Sequence, residues 1–106
     1  MTARNVKSNT YVLAGDTTSR SVTLTPEDTN QTEFEVYNAG SSAVFIVSGV
    51  TEPTAVFPTS ATVPIQGKVC APGAILSYSK GTNDKYISGI TASGTATVYI
   101  SMGQED

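Results

Sequence analysis

Apolar and polar residues alternate with a period of two in several short segments of this chain, and no segment sustains the 3.6-residue period of a helix. The clearest case is 32–38, where Phe34 and Val36 fall on one side and Glu33, Glu35 and Tyr37 on the other. That is the pattern of a strand with one buried face. Residues 43–48 follow as a nearly continuous apolar run, which reads as a strand buried on both faces. Between them Asn38, Ala39, Gly40 and Ser41 supply residues that tolerate positive φ, so the two strands are expected to form a central hairpin. A second hairpin is expected from 86–91 and 95–101, joined by a tight turn at Ala92, Ser93 and Gly94. In its last strand Ala96, Val98 and Ile100 share one face, and Thr97, Tyr99 and Ser101 share the other.

Ala71, Pro72, Gly73 and Ala74 suit a type II turn, with Pro presetting φ and Gly supplying φ > 0. This turn leads into a strand over 75–79 and a loop over 80–84. Upstream, 10–13 and 19–25 read as strands. The stretch 50–64 carries Pro53, Pro58 and Pro64, so it is expected to be a long connection with at most a short edge strand. Seven or eight short strands spaced roughly ten residues apart predict an all-β fold. The expected form is a two-sheet antiparallel sandwich, jelly-roll or immunoglobulin-like. One domain over 1–106 is expected, with 1–8 and 103–106 as terminal arms.

Charged residues make up 14% of the chain and hydrophobic ones 39%, both below the usual globular shares, with Thr, Ser, Gly and Ala filling the difference. Such a surface is polar but poorly charged, which points to contacts with neighbouring proteins. The net charge of −3 and the scattering of six basic residues leave no track for phosphates, so nucleic acid is not an expected partner. No apolar stretch approaches the ~20 residues of a membrane-spanning helix, and no membrane partner is expected. The polar residues at the start lack the apolar core of a signal peptide, and the single Cys70 has no internal partner; both fit synthesis in a cytoplasm.

Few residues suit chemistry. The chain has no His, which removes the commonest general base and every His-based triad or metal site. Cys70 alone cannot build a zinc site and reads as a small buried hydrophobe at a strand end. Glu33 and Glu35 project from the same strand face, roughly 6.5–7 Å apart, a spacing a glycosidase pair could use, although a solvated outer face accounts for them. Asn83 and Asp84 lack the further acidic ligands a Ca²⁺ site requires. No catalytic, cofactor-binding or metal-binding residue is expected, and no enzymatic activity. Tyr11, Tyr37, Tyr78, Tyr86 and Tyr99 read as half-buried strand residues, some of which would anchor an interface in an assembly.

Residues 35–46, with Val36, Asn38, Gly40, Val44 and Phe45 at their spacing, resemble the V-x-N-x-G-x-x-x-V-F-V hairpin of small proteins encoded among tailed-phage structural genes. Pro64 and Ile65, then Pro72 and Gly73, look like the P-I-x-P-G segment of those proteins, split here by 66–71. The stretch 84–105 is similar to their C-terminal hairpin, which ends with Gly and an acidic residue, as Gly103 and Glu105 do here. The resemblance covers the chain from Glu35 onward and carries over no catalytic residue. It implies a β-sandwich component of a phage virion, of the head decoration or cement type and often trimeric. The implied partner is a major capsid protein, and the implied location is the capsid exterior, after synthesis in the bacterial host cytoplasm. Tail, fibre or head–tail junction components, and a glycan- or receptor-binding sandwich, are the alternatives. Candidate interface residues are Tyr37, Tyr78 and Tyr86, together with Arg4 and Lys7 at the N-terminal end, which would meet acidic groups of a neighbour.

Overall fold

A computed structural model describes residues 9–59 and 64–103. The chain forms two antiparallel four-stranded sheets packed face to face. Its elements are β1 (Thr10–Gly15), β2 (Arg20–Thr23), α1 (Pro26–Thr29), β3 (Glu33–Asn38), β4 (Val44–Gly49), β5 (Lys68–Cys70), β6 (Ile75–Ser79), β7 (Tyr86–Thr91) and β8 (Ala96–Met102). Sheet 1 has the order β1-β8-β3-β6 and sheet 2 the order β2-β7-β4-β5. Strand 1 thus pairs with 8, 2 with 7, 3 with 6 and 4 with 5. That is the pairing of one long hairpin rolled up on itself, a jelly roll. An immunoglobulin-like sandwich would keep several consecutive strands in one sheet; here only β4 and β5 do so.

This order corrects the two expected hairpins. β3 and β4 lie in different sheets, as do β7 and β8. Each short connection is an arch that crosses the core. The strands themselves are where the alternation placed them. Phe34 and Val36 are buried, as are Ala96, Val98 and Ile100, while Glu33, Thr97 and Tyr99 face outward. Local pattern fixes which face of a strand is buried, but either a hairpin or an arch satisfies it.

Asn38 shows why the first connection crosses. Expected as a residue for a positive-φ turn, it is instead the fully buried last residue of β3. Its side-chain Nδ2 donates to the carbonyls of Ser42 (2.8 Å) and Cys70 (3.1 Å), and its Oδ1 accepts from Gly40 N–H (3.0 Å). The amide therefore holds its own arch and β5 of the opposite sheet at once. Gly40 does not have positive φ either. A Cβ there would lie 2.6 Å from Ala96 Cα, so Gly is required by the close passage of the arch over β8. Gly73 does take the predicted positive φ of 77°, with Ala74 N–H closing the turn onto Ala71 O at 3.1 Å.

Leu13, Phe34, Val36, Val98, Ile100 and Met102 of sheet 1 meet Val44, Ile46, Cys70 and Ile87 of sheet 2 in the core. Each large side chain buried there contributes about 1.5–3 kcal/mol. β4 is buried on both faces, as its apolar run predicts, because the described part of the following connection lies over the outer face of sheet 2. Phe57 packs on Phe45 with ring centroids 6.2 Å apart; Ser88 Oγ donates to Pro53 O and Ala55 N–H to Ser19 Oγ. Two elements were not anticipated. β5 falls within 66–71, and α1 forms between the strands expected at 19–25 and 32–38, with Thr25 as N-cap and Pro26 in the first turn. Gly103, expected in a terminal arm, is buried and donates its N–H to Glu33 O at 3.1 Å. The expected arm 1–8 and residues 104–106 lie outside the described residues.

Replacing Asn38 by Ala leaves the Gly40 N–H and the Ser42 and Cys70 carbonyls without this partner. Buried groups stripped of a hydrogen bond cost roughly 1–3 kcal/mol each, so Asn38→Ala should lower the thermal midpoint by about 10 °C or more. Calorimetry checks this, and a shift of only a degree or two would contradict the role given to the amide.

Candidate functional site

The two outer faces of the sandwich differ. Sheet 2 is overlaid by the chain's own connection, whereas no described segment covers sheet 1. Register places Val12 beside Tyr99, Tyr99 beside Tyr37, and Tyr37 beside Ile75. These four residues form a row running across every strand of sheet 1. Val12 is 58% exposed, Tyr99 and Tyr37 are each 39%, and Ile75 is 60%. The two tyrosine rings stack at 6.2 Å with an interplanar angle of 16°. The adjoining row, Thr10, Ser101, Glu35 and Ser77, is polar, and Thr10 Oγ1 lies 3.2 Å from Ser101 Oγ in hydrogen-bond contact. An apolar band bordered by polar residues on a rigid sheet is the arrangement of a protein-contact surface.

A cleft of about 410 Å³ opens between the sheets on the β6 side, walled by Phe34, Ile46 and Tyr78 and closed at one end by the 80–84 loop. Lys80 lies in this wall and is only 8% exposed. Its ammonium donates to the carbonyls of Thr29 (2.8 Å), Gly81 (3.1 Å) and Asp84 (2.7 Å). All three of its donors are thus committed to tying α1 to the loop. Desolvation pulls its pKa below the ordinary lysine value, opposed by the nearby Asp84 and Asp28 carboxylates. Asp84 in turn accepts from Ser48 Oγ and from Gly81 N–H. In α1, next to the Thr29 that Lys80 holds, Asp28 is also buried and accepts from Tyr11 Oη (2.6 Å), Asn9 Nδ2 and Thr25 Oγ1. These are charged groups satisfied by their own chain, which suits bracing. Among the described residues no three His, Cys, Asp or Glu side chains converge as a metal site would require. Cys70 is buried as expected, and desolvation raises its thiol pKa, leaving little thiolate at neutral pH.

The residues singled out from the sequence fall in separate places. Tyr37 lies in the exposed row. Tyr78 faces the cleft, edge-on to Phe34, and donates its hydroxyl to Val69 O at 3.2 Å, joining the two sheets. Tyr86 sits at the start of β7, half-buried, with Lys85 Nζ 5.7 Å from its ring. Arg4 and Lys7 lie outside the described residues. Sequence reasoning did not single out Val12 or Ile75. Both occupy the polar phase of their strands, and an apolar residue in that phase was the available signal.

Comparison of the chain with protein-family models, with curated proteins and with solved structures finds no match. The class is therefore the one its own strand order defines, an eight-stranded jelly-roll sandwich.

Burial, together with the Cys70 thiol beside it, pushes the Tyr78 phenol up from 10.0 to about 12. The unfolded chain then releases this proton before the folded one does. Stability that Tyr78 contributes is fully present below pH 10 and is lost as pH climbs toward 12. Over that interval the thermal midpoint of the native sequence should fall more steeply than that of Tyr78→Phe, which has no proton to lose. Parallel curves would contradict the burial of this hydroxyl.

Proposed function

We propose that this protein is a structural attachment module that docks on a larger protein assembly through the bare outer face of sheet 1. The observation that carries the reading is the apolar row from Val12 to Ile75 on that face, set against an opposite face occupied by the protein's own connection. Apolar area left in water on one side of a rigid sheet gains about 25 cal/mol per Å² when a partner covers it. The two stacked tyrosines supply large contact area with little rotamer freedom to lose, which favours them at binding hot spots. Glu33 and Glu35 on the same face suit a partner surface with basic groups at its rim.

Within that class the particular assembly we propose is a tailed-phage capsid, with the protein as a decoration or cement component on its exterior and the major capsid protein as its partner. The resemblance of 35–46 and 84–105 to small phage structural proteins supports this. So does the analogy with viral capsid domains, among which jelly rolls recur. A protein that binds only the assembled shell stabilises it by linkage, by RT ln(1 + [L]/Kd) per site. The role needs no catalytic group, and we propose none.

Adding the purified protein to expanded, undecorated phage shells tests the proposal. The native chain should bind and raise the temperature of shell rupture. The paired substitution Val12→Ser with Tyr99→Ser should weaken binding at least tenfold while leaving the fold's circular dichroism unchanged. Failure of the native chain to bind, with an unaltered rupture temperature, would sink the capsid reading.

A further inference from the structure

β6 is an edge strand of sheet 1, and its free edge has an unusual makeup. The bonds Asn38 N–H to Ala74 O (3.1 Å) and Lys80 N–H to Thr32 O (2.8 Å) bracket its ladder with β3. Antiparallel alternation then assigns the backbone groups of Leu76 and Tyr78 to β3. Those of Ile75, Ser77 and Ser79 point away from the sheet, toward a side where no described strand lies. The strand carries no charge and no proline, the usual devices that protect an edge. It also exposes apolar side chains on both faces: Ile75 on the outer face at 60% and Leu76, in the inward phase opposite Val36, at 39%. The other edges differ. β2 carries Arg20, clipped to Asp16 at 2.8 Å; β5 has three residues and an exposed Lys68; the inward Leu13 of β1 is 1% exposed.

We infer that β6 pairs antiparallel with β6 of a second copy about a two-fold axis at Ser77. In this register Ser77 faces the partner's Ser77 and Ile75 faces the partner's Ser79, so every outward N–H and C=O finds a mate. Leu76 meets the partner's Tyr78, covering the exposed inward phase and shielding the mouth of the cleft. The same sequence serves both sides, as a two-fold contact requires. Charge does not oppose it: the nearest carboxylates along the axial row, Glu35 and its mate, stand three strand spacings apart, about 14 Å, beyond the ~8 Å Debye length at physiological salt.

The pairing also enlarges the bare face. One four-stranded sheet offers a footprint of roughly 19 by 17 Å, about 320 Å², small beside the ~800 Å² that each partner commonly buries in a stable interface. Two sheets joined through β6 form one eight-stranded platform of twice that footprint. The inference stands whether or not a capsid is the partner, and its test needs no shell. It differs from the trimer that the phage resemblance implies, so mass decides between them.

Light scattering during size exclusion at micromolar concentration should give twice the 11.0 kDa of one chain. Ser77→Pro removes only an outward N–H and leaves the β3 ladder intact, so it should give a folded single chain. Ser77→Cys should be linked into dimers by a short bis-maleimide, while Thr97→Cys, five strand spacings across and eight residues along from its mate, roughly 36 Å in all, should not. A single-chain or three-chain mass for the native protein, a dimer that survives Ser77→Pro, or no linkage through Cys at 77 would each overturn the pairing. If Ser77→Pro fails to fold, the mass and the linkage pattern still decide.

Discussion

The rest of the sandwich depends on how one buried amide is satisfied. Asn38 ends β3 inside the core, where an unpaired carboxamide would cost several kcal/mol. Its partners lie in its own arch and on β5 of the opposite sheet, so it is satisfied only if β3 and β4 part company and β5 comes to lie beneath it. Once that arch crosses, β4 pairs with β7 and β5 while β3 pairs with β8 and β6, and the remaining strands follow by the same roll. Gly40 belongs to the same constraint, because the arch passes too close to Ala96 for any side chain.

This arrangement explains what the sequence made legible and what it did not. Strand positions and buried faces follow from local alternation, so Phe34, Val36, Val98 and Ile100 were readable one segment at a time. The choice between hairpin and arch is not local. Asn38, Ala39, Gly40 and Ser41 have the residue types of a positive-φ turn, yet what selects the arch is a carbonyl 32 residues away, on Cys70. β5 escaped for a related reason: three residues beside two glycines and a proline carry too little alternation to register. The burial of Asp28 and Lys80 was equally hidden, since each is neutralised or hydrogen-bonded by distant elements, Asn9 and Tyr11 for one, Thr29 for the other.

The candidate surface was half visible. Tyr37 drew notice as an outward aromatic, but its significance comes from its neighbours in the sheet, Tyr99 and Ile75, with Val12 beyond them, and only register brings those together. The jelly roll also creates the asymmetry that gives the row its meaning. The described part of the long connection between β4 and β5, both strands of sheet 2, shelters that sheet's outer face, and among the described residues sheet 1 receives no such cover. The exposed apolar row and the uncharged edge strand β6 thus lie on the same sheet.

The central claim is that consecutive strands cross between sheets, and the most direct measurement of it is proton–proton contact between strands in solution. In an antiparallel ladder the non-hydrogen-bonded pairs bring Cα atoms to about 4.5 Å. In the β3–β8 ladder, bracketed by bonds from Ala39 N–H to Thr97 O and from Gly103 N–H to Glu33 O, these pairs include Val36 with Ile100 and Asn38 with Val98. Nuclear Overhauser spectra of the labelled protein should show strong Hα–Hα contacts for both pairs. Strong backbone contacts between β3 and β4, or between β7 and β8, in place of these would mean hairpins and would contradict the account.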